Sequence, residues 1–238
     1  MPKQTGKAET PAAATKGRGT LSREQLVVQA LALLQDSGLN ELSTRRLAER
    51  LDVKSPALYW YVRNKDELLQ LVADAICARM QLPGEDPPFR ERLETIAHEY
   101  RRILITHRDA ARLFAEQAPT GPHRMKLYDA AIGAFRNAGL PLAEAVAMAT
   151  FYRHYLLGMV TEEVRGQWQD TNTSSFPPFA LGVELLRMGH APHDCPHLVE
   201  AADLLTHMQP EKLFAMGLKV LLDGVDRRVA ELATYQTQ

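Results

Sequence analysis

Two cysteines, Cys77 and Cys195, are all that the 238 residues contain. So few exclude a disulfide scaffold, and with no signal-peptide pattern ahead of them a reduced, cytoplasmic setting is expected. No uninterrupted apolar run is long enough to span a bilayer, so no membrane partner is expected. A glycine-rich phosphate loop, a nucleophile elbow and any Cys–His pairing that spacing would justify are also missing. The expectation is therefore no enzyme, no catalytic residues and no cofactor. Strand-like alternation is lacking, and glycine and proline instead punctuate a series of helical segments. What remains, with 45% hydrophobic and 24% charged residues, is an ordinary globular composition. The expected fold is all-α, with roughly nine or ten helices.

A net charge of −1 conceals an asymmetry. Residues 1–66 hold eleven lysines and arginines against seven acids, which leaves the remainder acidic. A basic N-terminal third on an acidic body suggests that only the first part meets DNA. Residues 1–20 are rich in Ala, Thr, Gly and Lys without apolar periodicity and read as a disordered arm. Lys16 and Arg18 in that arm suit a minor groove, a solvated tail being the alternative.

The most informative stretch is Leu42 to Lys65, LSTRRLAERLDVKSPALYWYVRNK. Ser43 can cap a first short helix, on which Leu47, Ala48 and Leu51 make one apolar stripe. Asp52 stands where the chain must turn sharply, and aspartate tolerates a left-handed backbone. Ser55-Pro56 reads as N-cap and first residue of a second short helix. Leu58 and Val62 share one side of it, leaving Ala57, Tyr59, Trp60 and Tyr61 for the rest. Asn64 caps a third helix, with Glu67 completing a capping-box pattern. A two-turn helix exposing small and aromatic residues fits the major groove of B-DNA. Arg45, Arg46, Lys54, Arg63 and Lys65 bracket it where phosphates would lie. Upstream, Ser22 with Gln25 opens a helix that stops at Gly38.

These residues resemble the N-terminal domain of the TetR family of bacterial transcriptional regulators over positions 21–81. The carriers are Leu42-Ser43-Thr44-Arg45, Leu47-Ala48, Leu51-Asp52-Val53, Ser55-Pro56-Ala57-Leu58-Tyr59 and Asn64-Lys65-Asp66-Glu67-Leu68-Leu69. Asp52 departs from the family's usual glycine. The resemblance implies a three-helix helix-turn-helix head over 21–66 and an effector-binding and dimerisation domain over 67–238. It implies a homodimer on double-stranded operator DNA, contacted by Thr44, Arg45, Lys54, Ser55, Ala57, Tyr59, Trp60, Tyr61 and Lys65.

The body reads as helices over Asn64–Met80, Phe89–Thr106, Asp109–Gln117, His123–Ala138, Leu142–Arg165, Pro178–Met188, Leu198–His207 and Pro210–Ala233. Thr106 to Ala111, Gly139-Leu140 and His154 with Leu157-Gly158 are similar to the C-terminal domain of the tetracycline-repressor branch. Leu142–Arg165 and Pro210–Ala233 are apolar on more than one side, which calls for a four-helix bundle between two copies. The first offers Ala147, Met148, Phe151, Tyr155, Leu156 and Met159; the second Leu213, Phe214, Leu218, Val220, Leu221 and Leu222.

A small-molecule site is expected between the body helices. Its candidates are Tyr100, Phe114, Gln117, Pro119, Met125 and Tyr128, together with Phe135, Tyr152, His154, Tyr155 and Glu162. The tetracycline branch holds a magnesium–drug chelate with a histidine where this chain has Phe114. Gln117 and Ala118 replace its threonine and arginine, and only Glu162 survives at its acidic position. An aromatic or apolar effector therefore fits better than tetracycline, and no metal site is expected. The run His190 to His197 is dense in ligating side chains but matches no zinc-finger spacing. The expected function is a repressor released from its operator by that effector. An activator or effectorless regulator is the alternative, and a metal-binding enzyme using the 190–197 loop the distant one.

Overall fold

A computed structural model describes residues 21–165, 195–201, 204 and 207–235. Ser22 opens α1 (Arg23–Ser37) with the expected capping box: Gln25 N donates to Ser22 Oγ at 3.1 Å and Ser22 N to Gln25 Oε1 at 3.0 Å. α1 stops at Gly38, where φ is +80° and a Cβ would lie 2.8 Å from Asp109 Oδ2. Glycine is required there twice over, by conformation and by space. α2 (Thr44–Arg50) is capped by Ser43, whose Oγ accepts from Arg46 N. It ends in a Schellman turn, with Val53 N bonded to Ala48 O and Asp52 N to Glu49 O around Asp52 at φ +52°.

The next helix corrects two expectations. Residues Ser55–Trp60 form a 3-10 helix, and Lys54, not Ser55, occupies its cap. Ala57 N bonds Lys54 O at 2.9 Å, an i→i+3 link that starts the helix one residue early. Six residues cannot hold themselves together; Leu58 and Val62, 1% and 2% exposed, fix this element to the head's core. α3 (Lys65–Cys77) starts at Asn64, whose Oδ1 accepts from Glu67 N. The Glu67 carboxylate closes on Arg63 N at 2.7 Å, so the expected box is displaced by one residue. α3 is also shorter than Asn64–Met80, because i→i+3 turns at Arg79 and Met80 end it at Cys77.

The body comprises α4 (Phe89–Thr106), α5 (Ala110–Glu116), α6 (Pro122–Asn137), α7 (Leu142–Glu163), α8 (Pro196–Glu200) and α9 (Pro210–Tyr235). All ten helices, and no strand, among the described residues make the fold all-α. α8 covers the start of the helix expected over Leu198–His207. The arm with Lys16 and Arg18, the helix expected over Pro178–Met188 and most of the 190–197 loop lie outside the described residues. Arg101 joins α4 to α7 through a two-point contact with Glu163, at 2.9 and 2.5 Å.

Two polar junctions fix the body around the head and around α3, the helix that leaves it. In the first, the turn between α4 and α5 clasps the end of α1. Arg108 Nη1 donates to Asp36 O at 2.9 Å, and Asp109 Oδ2 accepts from Leu39 N at 2.8 Å. In the second, Asp74 of α3 serves as the missing cap of α6. Gly121 and Pro122 bring no side-chain acceptor to that helix start. Asp74 Oδ1 instead accepts from His123 N at 2.8 Å and Arg124 N at 3.0 Å, and Oδ2 meets His123 Nδ1 at 2.9 Å. A Cβ on Gly121 would sit 2.2 Å from Asp74 Oδ1, so only glycine admits the carboxylate. Beside it Cys77 is buried, and desolvation, with Asp74 adding to it, pushes its thiol up to about 12.

Removing this cap leaves buried donors without an acceptor. Asp74→Ala is expected to cost about 2–4 kcal/mol and Asp74→Asn, which keeps one acceptor, about 1 kcal/mol. Urea unfolding at neutral pH reads both; equal stabilities would show that the junction contributes nothing.

Candidate nucleic-acid interface and effector cavity

The outer face of the 3-10 helix carries Trp60, 90% exposed, and Tyr59, 60% exposed. On the same short element Ser55 is exposed and Ala57 half-buried. Lys54 and Lys65 flank it, exposed and without an ion-pair partner among the described residues. Arg45 is exposed but engaged by Glu49 at 3.0 Å, and Arg46 is held by Glu41 at 2.6 Å. Such exposed pairs contribute well under about 1 kcal/mol each and yield readily to a phosphate. Thr44 is half-buried at the first turn of α2. Tyr61 differs from its neighbours: it is half-buried, and its hydroxyl donates to Leu21 O. Its side chain braces the start of α1 instead of extending from the reading face.

A cavity of about 40 Å³ lies between α4, α5, α6 and α7. That is room for about three waters, so a ligand of drug size must widen it. Five expected residues line it: Tyr100, Phe114, Pro119, Tyr128 and Tyr152. Tyr100 meets Phe114 edge to face, with centroids 5.9 Å apart, and Arg124 lies 4.7 Å above the Phe114 ring. Tyr128 shares a 2.5 Å hydrogen bond with Thr150 Oγ1, and the Tyr152 hydroxyl donates to Leu93 O. Arg124, 4% exposed, also closes the C-terminal end of α5, donating to Ala118 O at 2.8 Å, Gln117 O at 3.0 Å and Phe114 O at 3.3 Å. Burial pulls its guanidinium below the ordinary arginine range.

The other expected residues do not line this cavity. Phe135 is core packing behind Tyr152, edge to face at 5.9 Å. Tyr155 stacks on Phe214 and donates to its carbonyl. Gln117 enters by its backbone carbonyl alone, and Met125 is exposed. His154 is exposed, bonding Thr150 O, and Glu162 faces solvent with Arg165. Sequence reading missed Ile96, Arg124, Leu127, Ala131, Ala149, Arg153 and Leu156. The signal was present as helical spacing. Arg124, Leu127, Tyr128 and Ala131 recur at i, i+3, i+4, i+7 on α6, and Ala149, Tyr152, Arg153 and Leu156 do so on α7.

On the far side of α7 a groove of about 470 Å³ runs between it and α9, lined by Ala147, Met148, Phe151, Val220 and Leu221 among others. Phe151 and Val220 are 58% and 66% exposed, and Leu142, Val146 and Met216 continue the apolar surface. Tyr155, Leu156, Phe214, Leu218 and Leu222, expected with them, turn inward instead, and so belong to the subunit's own packing, while Leu221 forms the floor of the groove. A pair of 2.8 Å bonds from Arg228 to Glu144 holds α9 against α7 at one end of the groove. Among the described residues no cluster of three or more His, Cys, Asp or Glu could hold a metal ion. No described helix is long and apolar enough to cross a membrane.

The arrangement agrees with what this chain is similar to. Residues 26–72 match the model for bacterial regulatory proteins of the tetR family, and residues 82–229 match the tetracyclin repressor-like C-terminal domain. The tetracycline repressor protein class E of Escherichia coli is 32% identical over 217 residues, spanning 89% of this chain and 93% of that one. Among solved structures, apo ActR of Streptomyces coelicolor superposes with a TM-score of 0.78 at 27% identity, covering 91% of this chain and 100% of that one. The complex of ActR with actinorhodin gives 0.76 at 27% identity, with 89% and 99% covered. A head with an exposed reading helix, a body with an internal cavity and two matching domain models lead to one conclusion: the chain belongs to the tetR family, as a bacterial transcriptional repressor with a DNA-binding N-terminal part and a ligand-binding C-terminal part.

Proposed function

We propose that this repressor is released from its operator by a planar aromatic effector that enters the cavity between α4, α5, α6 and α7. The observation that carries the reading is Asp74. It belongs to α3, which leads out of the head, and it holds the first turn of α6, which lines the cavity through Arg124, Leu127 and Tyr128. A ligand that widens the cavity displaces α6, and the buried carboxylate carries that displacement to α3. The reading helices of the two subunits then change separation. Coupling of about 1–3 kcal/mol suffices, since it alters operator affinity roughly 5–150-fold.

An aromatic effector follows from the lining, which offers Phe114 and three tyrosines but no imidazole or carboxylate. A metal-chelated drug finds no ligand there. The same residues give no support to catalysis, and the protein is read as a cytoplasmic regulator. Residues 21–66 act as the head and 67–238 as the effector and dimer domain. At the groove, Ser55, Ala57, Tyr59 and Trp60 face base edges, while Thr44, Arg45, Lys54 and Lys65 meet phosphates. A second copy covers the groove of α7 and α9.

Fluorescence anisotropy with the DNA flanking the gene tests the scheme. Lys54→Ala should weaken binding for every sequence and lower the salt slope by about 1, whereas Trp60→Ala should cost about tenfold or more on the operator alone. Equal losses on specific and random DNA would displace Trp60 from the groove. Phe151→Glu combined with Val220→Glu should give monomers by sedimentation, and operator affinity should fall with them. A dimer that survives both charges lies on another face. In Asp74→Asn, effector affinity of the DNA-free protein should stay within about twofold of wild type, while effector-driven release should weaken about fivefold or more. Unchanged release would remove Asp74 from the coupling.

A further inference from the structure

Two of the twelve cavity-lining residues are arginines, and none is an acid. Arg124 gives its donors to three backbone carbonyls, and no carboxylate forms an ion pair with its guanidinium among the described residues; Asp74, which accepts from its backbone N, offsets the charge only from a distance. Arg153 is half-buried, and its guanidinium meets His154 Nε2 at 3.1 Å. It too has no carboxylate partner among the described residues. The three cavity tyrosines differ in a related way. Tyr128 and Tyr152 spend their hydroxyls on Thr150 and Leu93, while the Tyr100 hydroxyl has no hydrogen-bond partner among the described residues. Burial raises the Tyr100 phenol, and the charges of Arg124 and Arg153 oppose that rise. Arg92, one turn before Ile96 on α4, is buried as well, with Nε and Nη1 unpartnered among the described residues.

An apolar site built for a neutral ligand gains nothing from cations in its wall, because desolvating them is costly. A ligand bringing its own negative charge offsets that cost and makes charge-assisted hydrogen bonds. We infer that the effector is an aromatic acid, its carboxylate or equivalent anionic group held between Arg153 and Arg124 and its rings against Phe114, Tyr100 and Tyr128. This rests on the effector reading given above and narrows it. Arg153 is the selecting residue: it is half-exposed, it lies on the cavity wall, and moving it breaks one contact only. Arg124 is the fixed floor, bound to the end of α5.

Aromatic acids paired with their own amides separate charge from shape. Isothermal titration of the full-length dimer with 2-naphthoate against 2-naphthamide, and anthraquinone-2-carboxylate against anthraquinone-2-carboxamide, should give acids that bind about tenfold tighter than amides. Arg153→Gln should bring the acids to the level of the amides without changing amide affinity, and Arg153→Lys should restore part of the gap. Equal binding of acid and amide to the wild type overturns the acidic effector and leaves the aromatic cavity standing. An acid preference that persists in Arg153→Gln overturns the assignment to this residue. No binding by any of the four compounds overturns the cavity reading along with it.

Discussion

A single buried carboxylate decides how the two halves of this repressor are joined. The first turn of α6 begins at Gly121-Pro122, which supply neither a capping oxygen nor room for one. Its N–H groups would face the interior unpaired, at a cost of about 1–3 kcal/mol each, if α3 did not present Asp74. The helix that walls the cavity is therefore nucleated by the helix that leaves the reading head. The clasp of Arg108 and Asp109 on the end of α1 adds a second fixed point on the opposite flank of the head. Together they give the start of the body two fixed points against α1 and α3.

The charge distribution divides the labour further. Among the described residues Lys54 and Lys65 have no ion-pair partner beside the reading helix, whereas the arginines of α2 are each occupied by a neighbouring acid. The pairs set the orientation of those arginines at little energetic cost. Within the body most arginines are likewise paired with acids, as Arg101 is with Glu163 and Arg228 with Glu144. Arg124 differs: it is buried, bonded to carbonyls and stacked on Phe114.

Features governed by neighbours in sequence were legible before the structure. The caps at Ser22, Ser43 and Asn64 and the left-handed turn at Asp52 follow from residues three or four positions apart, and each is present. The 3-10 start at Lys54 was not legible, because its hydrogen-bond pattern is settled by how Leu58 and Val62 seat in the core. The Asp74 cap joins residues 49 positions apart, beyond any local signal. In the cavity the aromatic residues were found by type, yet type misled at Tyr155 and Phe135, which serve internal packing. Arg124 and Arg153 are not legible from residue type, because an arginine on a helix is usually solvated; their helical spacing with Tyr128 and Tyr152 is the signal that places them at the cavity.

The smallness of the reading helix has a thermodynamic outcome. Six residues held in place by two buried side chains present too few contacts for one subunit to occupy a half-site for long. Occupancy is then linked to self-association, and the fraction of operator filled rises with roughly the square of subunit concentration wherever monomers predominate. A repressor so built answers to its own abundance as well as to its ligand, so modest changes in expression sharpen or relax control before any small molecule arrives.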